Sequence, residues 1–228
     1  GHVALAALDG VKFKEGDGFA RAFHAATTDK LLVASTDGRF FTIGADRLPG
    51  GRGFGEPLRA MIDIENDAGI ETMFVSSAAP RVLMIASDGR GFMVATGDLI
   101  AETRKGRQIM TFREGESLGA VLPITNDKDH LAILGSNRRL LIFPLEKIPQ
   151  MARGKGVMLQ RYRDGGLAGA AAIRLEDGLV WPMGGDSGRT RSETDLTPWL
   201  GDRAGSGRMP PNGFPRQAPY FREPEPSA

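Results

Sequence analysis

Cysteine is missing from all 228 residues. That excludes disulfides and thiolate metal sites, and it suits a reducing compartment. No apolar run approaches the ~20 residues of a membrane span. Nothing at the N-terminus has the form of a signal peptide. Histidine is scarce: His2, His24 and His130 are scattered and sit in no metal-site spacing. Two Trp and two Tyr leave little material for stacking single-stranded bases. The formal net charge is only +1, so any attraction to a polyanion must come from local patches.

What is present is core-forming material and repetition. A length of 228 residues suffices for one large or two small domains, and a hydrophobic share of 41% can bury a real core. Three stretches align well: "KLLVASTDGRFFTIGADRLPGGRGFGEPLRAMIDI", "RVLMIASDGRGFMVATGDLIAETRKGRQIMTF" and "HLAILGSNRRLLIFPLEKIPQMARGKGVMLQRY". A fourth, "AAIRLEDGLVWPMGGDSGRTRSETDL", aligns weakly. Each has an apolar run, a turn pair and a second apolar run. The turn pairs are Asp37-Gly38, Asp88-Gly89, Asn137-Arg138 and Asp177-Gly178, offset by 51, 49 and 40 residues.

Asp-Gly between apolar runs signals a β-hairpin, here read as a type I′ turn with positive φ at both central residues. The runs predict strands at 31–35, 39–43, 82–86, 90–94, 131–135 and 139–143, with further strands in "PLRAMIDI" and "RQIMTF". A period of ~40–50 residues with about four strands per unit is the arithmetic of a propeller. The expected fold is all-β, a propeller-like disc of about five four-stranded blades over residues 1–200. The segment before Lys30, with Leu8-Asp9-Gly10 and "FARAFHAAT", is expected to supply part of another blade. Residues 201–228 hold six prolines and cannot build a core alone, so they read as an irregular Pro-rich tail, extended and docked. Thr197-Pro198-Trp199 reads as an N-cap and first helical turn.

Charge follows the repeat. About sixteen residues after each turn comes a basic element: Arg52-Gly53, Arg104-Lys105-Gly106, Arg153-Gly154-Lys155-Gly156 and, poorly, Arg189-Thr190-Arg191. Arg138 to Arg163 holds seven basic residues and one acidic, and Arg104 to Arg113 four basic and none acidic. Positive loops at a periodic position form a belt that suits duplex phosphates. Asp63, Glu65, Asp67 and Glu71 gather the opposite charge.

Candidate catalytic motifs fail on their context. Gly51–Gly55 lacks the spacing of a dinucleotide or P-loop fingerprint and reads as a turn-rich loop. "GGDSGR" at 184–189 has the Gly-Asp-Ser-Gly of a serine nucleophile, yet no histidine sits in a triad setting, so Ser187 reads as loop. Leu83, Ile85, Ile133, Leu141 and Phe143 read as core.

"LPGGRGFGEPLRAMIDI", "SDGRGFMV", "TRKGRQIM", "ARGKGVML" and "DLTPWLGDRAGSGRMPPNGFPR" together resemble the C-terminal domains of topoisomerase IV A subunits (ParC), in the type IIA topoisomerases. The resemblance covers nearly the whole chain. It implies a β-pinwheel that binds and bends duplex DNA on a basic rim, presenting a segment for decatenation, supercoil relaxation and chromosome segregation. The gyrase A relative carries a Gln-Arg-Arg-Gly-Gly-Lys-Gly box; the shorter Arg153-Gly154-Lys155-Gly156 favours topoisomerase IV and argues against strong wrapping. A gyrase-type wrapping domain and a protein-docking propeller, using Asp63–Glu71, are the alternatives. The resemblance further implies three kinds of partner: a B subunit in a heterotetramer, the N-terminal part of its own subunit, and protein regulators, with no membrane. It places the protein in the bacterial cytoplasm at the nucleoid. ATP and Mg²⁺ belong elsewhere in the parent enzyme, and this fragment holds no cofactor, metal or catalytic residue. Arg161-Tyr162 matches the dipeptide of the DNA-cleaving centre, but no acidic metal motif accompanies it, and Tyr162 reads as packing. The expected phosphate contacts are Arg104, Lys105, Arg107, Arg153 and Lys155, then Arg52, Arg138, Arg139, Arg161 and Arg163.

Overall fold

The first three turns form the expected hairpins, each within a residue of the predicted bounds. The computed structural model describes residues 15–16, 18–50, 55–184 and 188–223. Its strands are β1 (Lys30–Ser35), β2 (Arg39–Gly44), β3 (Ile70–Val75), β4 (Arg81–Ala86), β5 (Arg90–Ala95), β6 (Arg107–Gln108), β7 (Leu118–Ile124), β8 (His130–Gly135), β9 (Leu140–Pro144), β10 (Val157–Met158), β11 (Leu167–Ile173), β12 (Leu179–Pro182) and β13 (Thr190–Glu193). One short helix, α1 (Thr96–Leu99), follows β5.

Four antiparallel sheets result among the described residues, in the orders β3-β1-β2-β6, β10-β5-β4-β7, β11-β8-β9 and β12-β13. Each is a blade of a β-pinwheel. The sequence predicts about five blades of four strands; the described residues give four, and only two of those have four strands. Residues 18–29 contain no strand, and residues 1–14 lie outside the described part.

The apolar runs are continuous because each inner strand is buried on both faces. Val82, Met84 and Ala86 of β4 pack with Leu32, Ala34 and Phe40 of the first blade. Leu83 and Ile85, on the other face of β4, pack with Leu131, Ile133 and Phe143 of the third. Ala132 and Leu134 then meet Trp181 of the fourth. Alternate side chains of one strand therefore feed two successive inter-blade layers. The outer face of the first blade, Leu31, Val33, Phe41 and Ile43, is covered by Ile62, Ile64 and Ala68. "PLRAMIDI" thus forms a lid with a 3₁₀ turn at Leu58–Ala60 instead of the expected strand.

The hairpin turns differ from the expected type I′. Gly38 and Gly89 have φ of 82° and 81°, while Asp37 and Asp88 do not reach positive φ. Gly38 N donates to Ser35 O at 3.0 Å and Gly89 N to Ala86 O at 3.0 Å. This is a type I turn followed by a left-handed residue, the three-residue hairpin. Arg138 fills the left-handed position of the third turn at φ 63°.

The fourth expected hairpin, across Asp177-Gly178, does not form. Its first run is β11, which pairs with β8 of the third blade. The fourth hairpin is β12–β13, closed by Met183 N donating to Arg189 O at 2.9 Å. Its loop contains "GGDSGR", of which 185–187, with Ser187, lie outside the described residues. At 197–199 a 3₁₀ turn forms, but Leu196 is its N-cap, and Asp195 Oδ1 accepts from Thr197 N at 3.2 Å. Hydrogen bonds from Thr197, side-chain and backbone, hold the Asp195 carboxyl below its usual range.

The segment 201–223 runs along the third and fourth blades. Phe214 is buried with its ring 5.4 Å from that of Trp181, and Trp181 Nε1 donates to Gly213 O at 3.1 Å. Arg222 bridges to Val180. Lys128 is tied to Glu223 at 2.9 Å. Burial pulls the Lys128 ammonium down, yet Glu223, helped by Asp127 and Asp177, raises its pKa on balance.

Candidate nucleic-acid interface

The basic elements of the second and third units do not stay in their own blades. Each crosses to the preceding blade and adds its outermost strand. "RQIMTF" contributes only β6, which pairs with β2 through Arg39↔Gln108 and Phe40↔Arg107. β10 pairs with β5 through Val157↔Gly91 and Met158↔Arg90. Arg208 bridges to Leu140 of the third blade in the same way. A glycine makes each crossing close. Gly106, Gly156 and Gly207 have φ of 67°, 73° and 78°, and a Cβ on them would strike the carbonyls of Phe40, Gly91 and Leu140. Each of those carbonyls lies two residues past a hairpin's left-handed residue.

That repeat corrects the sequence reading. The element equivalent to Arg104-Lys105-Gly106-Arg107 in the last unit is Gly205-Ser206-Gly207-Arg208, not Arg189-Thr190-Arg191, whose last two residues lie in β13. Arg208, exposed, was therefore missed. The signal was available: Gly106, Gly156 and Gly207 are spaced by 50 and 51 residues.

Backbone hydrogen bonds join these crossings into one strip. Gly154 N donates to Ile109 O at 2.9 Å, and Thr111 N to Gly154 O at 3.0 Å. Ala204 N donates to Leu159 O at 2.8 Å, and Arg161 N to Gly205 O at 3.0 Å. The run 104–111, the run 153–161 and the run 203–208 thus lie side by side. Exposed Lys105, Arg107, Arg153, Lys155, Arg161 and Arg208 all belong to this strip.

The expected cations are not equally free. Arg104 Nε meets Asp63 at 3.2 Å and its Nη2 donates to Ala60 O at 2.9 Å, so it clamps the lid. Asp63 of the acidic stretch is committed to that clamp. Arg107 donates to the Asp98 carbonyl at 2.8 Å, a neutral partner that leaves its charge uncancelled. Arg138 donates to Pro215 O and lies 5.9 Å from the Phe214 ring centre, so it fastens the tail and is only partly exposed. Lys105, Arg139, Arg153, Lys155, Arg161 and Arg163 are exposed, with no carboxylate partner among the described residues. Arg52 lies outside the described residues.

Arg139, Arg161 and Arg163 gather around a surface hollow of about 640 Å³, with Tyr162 and Ser206. The Tyr162 ring leaves no room for a Cβ on Gly89 or Gly135, packing against the second hairpin turn and the end of β8. Burial first, and the Asp88 charge second, push its phenol far above the usual range. Among the described residues no group of His, Asp or Glu side chains gathers to hold a metal ion, and no helix is long and apolar enough to cross a membrane.

Comparisons with known proteins agree with this architecture. The family described as the DNA gyrase C-terminal domain, beta-propeller, matches residues 80–125 and 129–167. The A subunit of DNA topoisomerase 4 from Caulobacter vibrioides is 41% identical over 204 residues, 90% of this chain and 26% of that protein. The chain therefore spans about a quarter of the length of such relatives. The solved E. coli ParC C-terminal domain superposes with a TM-score of 0.81 at 26% identity, covering 95% of this chain and 89% of that one. A DNA gyrase A C-terminal domain superposes less completely, with a TM-score of 0.56 at 18% identity over 68% of this chain and 52% of that one.

Proposed function

The chain belongs to the family of C-terminal β-pinwheel domains of topoisomerase IV A subunits, and from that premise we propose that it binds duplex DNA along its crossing-loop strip and bends it around the disc. The observation that carries the reading is the strip itself: three successive blades place unneutralised cations on hydrogen-bonded neighbouring loops. Such a strip meets a continuous row of phosphates, which fixes the position of a duplex and carries no sequence information. Lys105, Arg107, Arg153 and Lys155 are the central contacts, and Arg139, Arg161, Arg163 and Arg208 extend them. Arg104 and Arg138 contribute through the loops they hold.

In the parent enzyme this domain presents a DNA segment for decatenation and supercoil relaxation. Its partners there are a B subunit and the rest of its own polypeptide, while cleavage, ATP and Mg²⁺ belong to the other parts. The fragment alone neither cuts DNA nor hydrolyses ATP. The test is binding of two unrelated duplexes at matched length, followed by ring closure of a short linear duplex. Equal affinities, lost steeply with salt, and faster ring closure with the domain present are expected. Strong preference for one sequence, or binding that ignores salt, would contradict the proposal.

A further inference from the structure

Arg39, Arg90 and Arg139 occupy one repeated position, two residues past the hairpin residues Asp37, Asp88 and Asn137. In the first two blades the aspartate does two jobs. Its Oδ1 accepts the backbone N–H of the arginine, at 3.3 Å for Arg39 and 3.0 Å for Arg90. Its Oδ2 also faces the guanidinium, at 3.9 Å for Arg39 and 3.6 Å for Arg90. In the third blade Asn137 does only the first, accepting from Arg139 N at 3.2 Å. The hairpin is built equally well by either residue. Only the charge differs.

We infer that this turn residue sets how much positive charge each blade offers to DNA phosphate, and that Asn137 makes the third blade a phosphate anchor that extends the strip beyond its central contacts. The inference rests on the duplex-binding reading above. Blades one and two present Arg39 and Arg90 as part of locally neutral pairs. The third presents Arg139 uncancelled, beside Arg161 and Arg163 around the hollow of about 640 Å³. Asp164 is the one carboxylate among the described residues lining that hollow. Three guanidiniums against one carboxylate leave a net charge of +2 at the hollow. Guanidinium forks match the paired oxygens of a backbone phosphate.

The test uses the 228-residue chain and begins with exchanges at the turn residues, which leave the proposed contacts themselves in place. Asn137→Asp should keep the hairpin and the melting temperature, weaken duplex binding, and flatten the salt dependence by ~0.9, the equivalent of one phosphate contact. At 0.1 M salt that corresponds to roughly eightfold in affinity. Asp37→Asn and Asp88→Asn should do the opposite, each tightening binding and steepening the slope. In the Asn137→Asp background, Arg139→Gln should add little further loss. If the wild type shows no salt-dependent duplex binding, the duplex reading itself falls. If the wild type binds steeply and Lys105→Gln/Lys155→Gln weakens it, while Asn137→Asp leaves both affinity and slope unchanged, only the turn-residue anchor is overturned.

Discussion

The Tyr162 hydroxyl is buried with no hydrogen-bond partner among the described residues, while its ring caps Gly89 of the second hairpin turn and Gly135 at the end of β8. A desolvated, unpaired hydroxyl is a cost, and the ring is the useful part. Tyr162→Phe should therefore keep or raise the melting temperature, whereas Tyr162→Ala should lower it by several degrees; calorimetry distinguishes the two. A clear loss of stability in Tyr162→Phe would mean that the hydroxyl has a partner. At this scale the sequence displayed the charges but not their neutralisation. Nothing adjacent to Arg104 announces Asp63, 41 residues away, or the Ala60 carbonyl. Nor does Arg138 show locally that its guanidinium reaches Pro215 and Phe214 of the tail.

The crossing strands depend on glycines that tolerate positive φ against a neighbouring carbonyl. Gly156→Ala would place a Cβ against the Gly91 backbone at φ 73°, so β10 should detach from the second blade. The expected cost is ~1 kcal/mol or more, seen as a melting-temperature drop of at least ~2–4 °C. Gly97→Ala, in α1 with open space around it, is the control and should be neutral or stabilising. Equal behaviour of the two variants would contradict the crossing geometry. The main hairpins were legible because apolar runs flank strong turn residues. The crossing strands were legible only in part: "RQIMTF" reads as a strand and holds β6, but β10 does not read as one, and at two residues each neither piece is long enough for a periodicity to register. The outer strand β11 was misassigned for a related reason. Asp177-Gly178 has the composition of a hairpin turn, but Gly178 only ends the 3₁₀ turn at Leu175–Asp177 that leads from one blade to the next.

Across the whole molecule, each blade is stabilised by its neighbours, and the last relies on the tail. Phe214 packs between Trp181 and Phe221, with ring centres 5.4 and 5.7 Å away. Phe214→Ala should destabilise by ~3–5 kcal/mol, and a melt followed by Trp fluorescence should report it. A small effect would show that the tail merely rests on the surface. Repetition made the disc legible from sequence. The tail's role was not, since proline-rich segments carry no strand pattern, and Phe214 gains meaning only beside Trp181, whose Nε1 reaches Gly213. The proposed duplex site is the strip that crosses this disc. Its most direct test is the salt dependence of duplex binding by the wild type and by a variant with Lys105, Arg107, Arg153 and Lys155 all changed to Gln. The account predicts a folded variant that binds more weakly, with a log–log slope flatter by ~3.6, or ~0.9 for each of four lost contacts. A folded variant that keeps the affinity and slope of the wild type would contradict it.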